Sequence, residues 1–261
     1  MKKNFTQLLL TSALLAGISF AGSDPKAYKI AKASDNLQRN FKDEKTKSTM
    51  VLINANGDKV TRNMVNMTLE RDNAEDYQIV KFLNPADVRG TGLLTHQDPK
   101  GSDKQWLYLP DLRRVKKISS SNKSGSFMGS EFTYEDITGN TLDKWDYKFI
   151  EESTLDGVAV NVLEKTPNYE KSGYSKVKVW YLKGNNLGVR SEFFDRKGSL
   201  LKVQKVSGWK LYGSVWRSEE ISMENLQTKK KSILTFSERK IGSGLTKKDF
   251  SKRSLQREIK Y

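Results

Sequence analysis

Residues 50–70 read MVLINANGDKVTRNMVNMTLE. Met50-Val51-Leu52-Ile53 is a short strand-forming run, and Asn56-Gly57 is a strong short-range hairpin signal. Beyond it Val65, Met67 and Leu69 alternate with Asn66, Thr68 and Glu70. A period of two across a turn signal predicts a β-hairpin, and the same grammar extends along most of the chain.

Downstream, Tyr77 to Leu83, Val88 to Thr95, Gln105 to Leu109 and Leu112 to Ile118 read as further strands, followed by Trp145 to Glu151 and Gly157 to Glu164. Lys176 to Leu182 turns at Gly184-Asn185-Asn186, and Val189 to Phe194 turns at Asp195-Arg196-Lys197-Gly198. Leu200 to Val206, Val215 to Ser222 and Ser232 to Ser237 complete a set of about a dozen strands at the spacing of an all-β sandwich or barrel. Upstream, residues 25–44 have helical spacing, with Ile30, Leu37 and Phe41 near one face and Asp24-Pro25 as the start. A flat open sheet of this size curls or splits. The reading is therefore mainly β: one strongly curved antiparallel sheet with the N-terminal helix across its concave side. Strands such as Val177 to Leu182 are apolar on both faces, which fits either a sheet covered on both sides or one face lining an apolar cavity.

The first residues have a different logic. Met1-Lys2-Lys3-Asn4 supplies positive charge, Leu8 to Phe20 an apolar run, and Ser19 and Ala21 the small residues of a cleavage site before Gly22. Residues 1–21 are expected to be a signal peptide, and 22–261 one exported domain. No other segment reaches the length of a membrane-spanning helix. With no cysteine there is neither a disulfide framework nor a lipid-anchor site, so stability must come from burial. The full chain carries a net charge of +15. Export and the lack of any nucleic-acid signature argue against RNA or DNA as partner. A dispersed, solvated surface or attraction to anionic lipid headgroups remains.

Catalytic chemistry has little to work with. His96 is the only histidine, no GxSxG surrounds a serine, and a zinc site would want several His or Cys ligands. Gly90-Thr91-Gly92 lacks the rest of a phosphate loop and reads as a turn. Glu135-Asp136 and Glu151-Glu152 read as surface charge, since adjacent residues on a strand face opposite ways. Lys229-Lys230-Lys231 reads as a hairpin or edge where lysine discourages strand pairing. The expectation is a protein without catalysis, metal or cofactor.

Three stretches in order, DVRGTGLLTHQD (87–98), WLYLPDLRRVKKIS (106–119) and SFMGSEFTYEDI (126–137), resemble the larger branch of the LolA-like outer membrane lipoprotein-sorting proteins. The closing ERKIGSGLTKKDFSKRSLQR (238–257), the helix and the leader extend the resemblance over nearly the whole mature chain. It implies an unclosed β-barrel whose concave apolar face is covered by helices, in the periplasm of Gram-negative bacteria. It also implies acylated lipoprotein or another lipid as cargo, an inner-membrane transporter, an outer-membrane acceptor, and transient contact with an anionic membrane by a monomer. The branch is often encoded beside exporters of the resistance-nodulation-division type, so a sensing or adaptor module is the alternative to a carrier. Trp106, Tyr108, Pro110, Arg113, Arg114, Phe127, Met128, Gly129, Ser130, Phe132, Tyr134, Glu135 and Asp136 match the family pattern. Of these, Trp106, Tyr108, Phe127, Met128, Phe132 and Tyr134 are the candidate lipid-binding residues. Within SNKSGSFMGSEFTYEDI (121–137), Gly and Ser surround Phe127, Met128 and Phe132. That composition suits either a flap over the mouth of the half-barrel or a fixed plug of its end.

Overall fold

A computed structural model describes residues 22–72, 75–139 and 141–258. The leader expected at 1–21 lies outside the described residues. Helix α1 (Pro25–Asn36) starts where Asp24 accepts hydrogen bonds from the amides of Lys26 and Ala27 at 2.8 and 3.3 Å, with Pro25 in the first turn. It stops eight residues short of the predicted end. Asn40 and Lys42 have positive φ, and Asp43 already pairs with Leu69, so the strand ladder has claimed the last residues of the helical pattern.

The strands are β1 (Asp43–Ile53), β2 (Lys59–Leu69), β3 (Tyr77–Asn84), β4 (Gly92–His96), β5 (Lys104–Leu109), β6 (Arg114–Ile118), β7 (Trp145–Leu155) and β8 (Val158–Pro167). There follow β9 (Tyr174–Leu182), β10 (Gly188–Asp195), β11 (Leu200–Ser207), β12 (Lys210–Tyr212), β13 (Val215–Arg217), β14 (Glu220–Asn225) and β15 (Lys230–Ile241). Two short helices, α2 (Tyr134–Thr138) and α3 (Lys252–Gln256), complete the set. Thirteen strands form one antiparallel sheet in the order β6-β5-β4-β3-β2-β1-β15-β14-β11-β10-β9-β8-β7. The sheet is not closed: β6 and β7 are its edges. Lys116 and Lys117 stand on the β6 edge, while Ser23 and Asp24 hydrogen-bond to the Tyr147 backbone on β7.

Several boundaries differ from the sequence reading for local reasons. Strand β4 starts at Gly92 because residues 88–91 fold back on β3, the Phe82 amide donating to the Thr91 carbonyl at 2.9 Å. Arg113 has φ 47°, which makes Leu112 a turn residue and delays β6 to Arg114. The strand expected at 215–222 is two strands. Its first part pairs with β12 in a separate ribbon, and its second joins the sheet. The Trp216 amide and the Arg217 guanidinium of that ribbon donate to the carbonyls of Leu37 and Gln38, each at 2.8 Å. Arg217 and Arg239 both reach the buried Glu44 carboxylate, which ties ribbon, α1 loop and sheet together.

The sheet is covered on its concave face and, over β2 to β5, on its convex face as well. On the concave face Met50, Met64, Phe82, Leu163, Val177 and Met223 belong to one buried cluster with Ala27 and Ala31 of α1. On the convex face residues 242–258 lie over β2 to β5, where Phe250 and Leu255 close over Met67, Ile79 and Leu94. A Cβ at Gly92 would sit 2.8 Å from a Leu255 methyl, so glycine permits that approach. The buried Lys81 amine donates to the carbonyls of Leu255, at 3.0 Å, and Arg257, fixing the end of the strap.

Candidate functional site

The link between the two edge strands, residues 119–144, crosses the concave side. Within it the Phe127 amide donates to the Phe132 carbonyl at 2.7 Å and the Ser130 hydroxyl to the Phe127 carbonyl at 2.7 Å. Met128 and Gly129 supply the positive φ angles of this tight loop. Its effect is to aim two aromatic rings inward: Phe127 is 0% and Phe132 3% exposed. The Phe127 ring lies 5.7 Å from both Phe82 and Tyr134.

Polar clamps hold the loop on both sides. Thr133 and Asp136 form a capping box at the start of α2. Asp136 also meets the buried Lys202 amine at 2.5 Å and accepts from the Tyr174 hydroxyl at 2.8 Å. The Glu135 carboxylate accepts from the Ser172 hydroxyl at 2.6 Å, from the Gly173 amide at 2.8 Å and from the Tyr169 hydroxyl. Glu135 and Asp136 are thus not the surface charge that strand geometry predicts. They sit in a helical turn, where both carboxylates meet inward-facing donors. Burial and the adjacent Glu135 hold the Tyr169 hydroxyl well above the ordinary tyrosine range. At the loop's far end the Glu131 amide donates to Ser232, Asn225 donates to the Glu131 carboxylate, and Arg62 donates to the Met128 carbonyl.

Beside Phe127 and Phe132 is a cavity of about 540 Å³, bounded by the sheet, α1 and Trp209, Arg217 and Ser218 at the ribbon's ends. Its walls are mixed. Met50, Met64, Val179, Phe193 and Leu234 are apolar, Asn66, Thr68, Gln78, Gln97 and Gln204 form a band of neutral hydrogen-bonding side chains, and Glu44, Asp76, Arg217 and Arg239 bring charge. Lys165 lines the same space with its amine 4.2 Å from the Trp145 ring centroid. Burial pulls its pKa down to about 8, against the opposing pull of Glu135 and Asp136. At Asp35 and Arg39 the cavity adjoins a wider, charged recess of about 1450 Å³. A space with an apolar zone, a polar band and this volume suits an amphiphile.

The candidate residues separate into two groups. Phe127, Met128, Phe132 and Tyr134 come together on the concave side. Trp106 and Tyr108 stand on the other face, because alternation along β5 turns Gln105 and Leu107 inward. There Trp106 lies 5.1 Å from His96, edge to face, and His96 stacks on Tyr77 at 3.9 Å. An His96 ring nitrogen is 2.9 Å from the Phe250 carbonyl, so the lone histidine helps seat the C-terminal strap. Sequence reasoning missed Lys202 and the polar band. The available signal was that Lys202, Gln204 and Val206 must share one face of β11. Among the described residues no group of three or more His, Cys, Asp or Glu is placed to hold a metal ion, and no helix is long and apolar enough to cross a membrane.

A family model described as "Uncharacterized protein" matches residues 74–257. No curated protein matches the chain. An outer membrane lipoprotein-sorting protein domain from Vibrio parahaemolyticus is 39% identical, with 89% of this chain and 99% of that one covered and a TM-score of 0.86. A DUF1329 family protein from Desulfovibrio piger is 27% identical over 88% of this chain and 97% of its own, with a TM-score of 0.83. A LolA superfamily protein from Nitrosomonas europaea shares the fold at 20% identity, covering 87% and 98%, with a TM-score of 0.73.

Proposed function

The chain belongs to the LolA-like outer membrane lipoprotein-sorting family, and from that premise we propose that it is a periplasmic carrier. It takes the acyl chain of a lipoprotein, or of another lipid, into the cavity on its concave face and hands it on toward the outer membrane. The observation that carries this reading is the cavity of about 540 Å³ with Phe127 and Phe132 in its wall. Phe127, Met128, Phe132 and Tyr134 are its cargo-contacting group, and the loop that bears them yields when the chain enters. Trp106 and Tyr108 back the wall from the convex side. Met50 and Met64 also line the space, and methionine adapts to an apolar ligand of variable shape.

Magnitudes set the mechanism. Burying about 14 methylenes at ~0.8 kcal/mol each is worth roughly 11 kcal/mol relative to water. Such a chain crosses an aqueous gap safely but leaves slowly into water. Loading from an inner-membrane transporter and unloading to an outer-membrane acceptor are therefore handovers between apolar surfaces. None of this needs a covalent step.

Native mass spectrometry of protein taken from the periplasm, with identification of the lipid released, tests the reading. A stoichiometric acylated ligand is the expected result, and protein that remains empty when offered acylated lipopeptide would contradict it. Transfer of that ligand between vesicles separates a carrier from a sensor or adaptor working with an exporter, which would bind but not deliver.

A further inference from the structure

The antiparallel register places six turns on one rim of the sheet: residues 54–58, 85–91, 110–113, 168–173, 196–199 and 226–229. They are neighbours in space. Gln227 donates to Asp195 at 3.1 Å, Asn63 donates to Asn84 at 2.8 Å, and a Cβ on Gly90 would be 3.2 Å from the Pro110 ring. Counted with the residues that flank them (54–59, 85–91, 110–114, 168–173, 195–199 and 226–231), these turns carry ten Lys or Arg against four Asp and one Glu. On the opposite rim, residues 70–76, 97–103, 156–157, 183–187 and 208–219 carry eight acids against five bases. The basic charge is thus concentrated at one end.

That end also bears exposed apolar side chains. Val60 (47% exposed) stands beside one turn, and Leu112 (54%) and Leu226 (43%) sit within two others, which is half of the large exposed apolar residues among those described. Lys229 to Lys231 stand at the β14–β15 hairpin, one of the two places the sequence reading allows, and not at a sheet edge, since β15 is paired on both sides. The loop carrying Phe127 and Phe132 opens at the same rim, held by Arg62, Asn225 and Ser232.

We infer that this rim of hairpin turns is the face the protein lays against an anionic lipid bilayer, with Val60, Leu112 and Leu226 in the interface and the loop of residues 126–132 directed at the lipid. Lysine and arginine around isolated apolar side chains are the composition of an interfacial anchor, and anionic headgroups complement the charge. The orientation brings the cavity's closure to the surface from which a chain is taken or to which it is given. The inference rests on the carrier reading for its purpose only, because docking is measured without cargo.

The test is flotation of the mature protein with vesicles of phosphatidylcholine alone or mixed with phosphatidylglycerol. Binding is expected only to the anionic vesicles, and it weakens as salt rises. Lys197→Gln/Lys229→Gln/Lys230→Gln is expected to lower the partition coefficient on the order of a hundredfold, each surface cation contributing a few-fold. Lys247→Gln/Lys248→Gln/Arg253→Gln, which removes the same charge from the C-terminal strap, should change it far less. Equal losses in both triple variants would overturn the inference, because net charge alone would then explain binding. Equal binding to neutral vesicles would also overturn it. So would no binding to either vesicle by protein whose melting transition shows it folded, and that result would leave the rim to a protein partner.

Discussion

Two segments cross this sheet, one on each face, and they are anchored in opposite ways. The C-terminal strap (242–258) lies on the convex side as a packed apolar layer, with a Leu255 methyl so close to Gly92 that a side chain there would have to displace it. The link on the concave side (119–144) is held by polar clamps at Asp136, Glu135 and Glu131, and its buried aromatic rings join the core on one side and border a cavity on the other. A dry layer has one arrangement that packs, whereas a loop clamped at its ends beside open space has room for a second. The contrast also explains why several strands read as apolar on both faces. The strap covers the convex side over β2 to β5, whereas at Val177 to Leu182 it is the concave side that is buried beside the cavity, and Trp180 and Leu182 on the convex side stay half-buried.

The comparison makes graded predictions. Lys202→Ala leaves the Asp136 carboxylate buried without its cation and should cost about 3–5 kcal/mol. For a chain of this length that is a fall of roughly 2–4 °C in melting temperature per kcal/mol, with faster amide exchange at residues 126–137 in particular. Leu255→Ala should cost about 2–5 kcal/mol, loosen the strap alone and leave cargo affinity within a few-fold of the parent. Phe132→Ala sharpens the contrast. A fully packed phenylalanine costs about 3–5 kcal/mol to truncate, but one side of this ring faces the cavity and has already forfeited contacts. We expect a loss of roughly 2 kcal/mol, with weakened binding of acylated cargo. A loss as large as that of a core phenylalanine, with binding unchanged, would make the loop a fixed plug.

The smallest effect concerns pH. Burial, assisted by Lys104, Lys247 and Arg71, holds the His96 pKa below its ordinary value, despite the Phe250 carbonyl that favours the charged ring. The unfolded chain then takes up a proton at about pH 6.5 before the folded one does. The contribution of His96 is complete above that pH and is lost as pH falls through and below it. Subtracting the melting profile of His96→Gln from that of the parent between about pH 8 and pH 5 isolates the effect. Cargo binding should not change in the variant, and a loss of turnover or transfer by roughly a hundredfold would instead mark a general base.

Much of this was legible in the sequence. Asn56-Gly57 does mark the β1–β2 hairpin, although the loop runs from Asn54 to Asp58, and Asp24-Pro25 does start α1. Sheet order was not legible, because the insertion of β15 between β1 and β14 depends on pairings nearly two hundred residues apart. Alternation located the faces without saying which was which. Asn66 and Thr68 look like the solvent side of β2, yet they line the cavity, while Met67 and Leu69 lie toward the C-terminal strap. Trp106 and Tyr108 are large aromatic residues in a strong motif, and periodicity cannot tell a concave aromatic from a convex one. Glu135 and Asp136 were assigned by strand geometry in a segment that is helical, so their partners on β11 and β9 and in the residues before β9 were out of view.

The measurement that tests the account most directly is photo-crosslinking of the mature protein by a lipopeptide carrying a diazirine on its acyl chain, followed by peptide mapping. The account predicts label on concave-face residues around Met50, Met64, Phe127, Phe132 and Leu234, competed away by unlabelled acylated lipopeptide. Label confined to the convex face around Trp106 and Tyr108, or label that competitor does not displace, would contradict it.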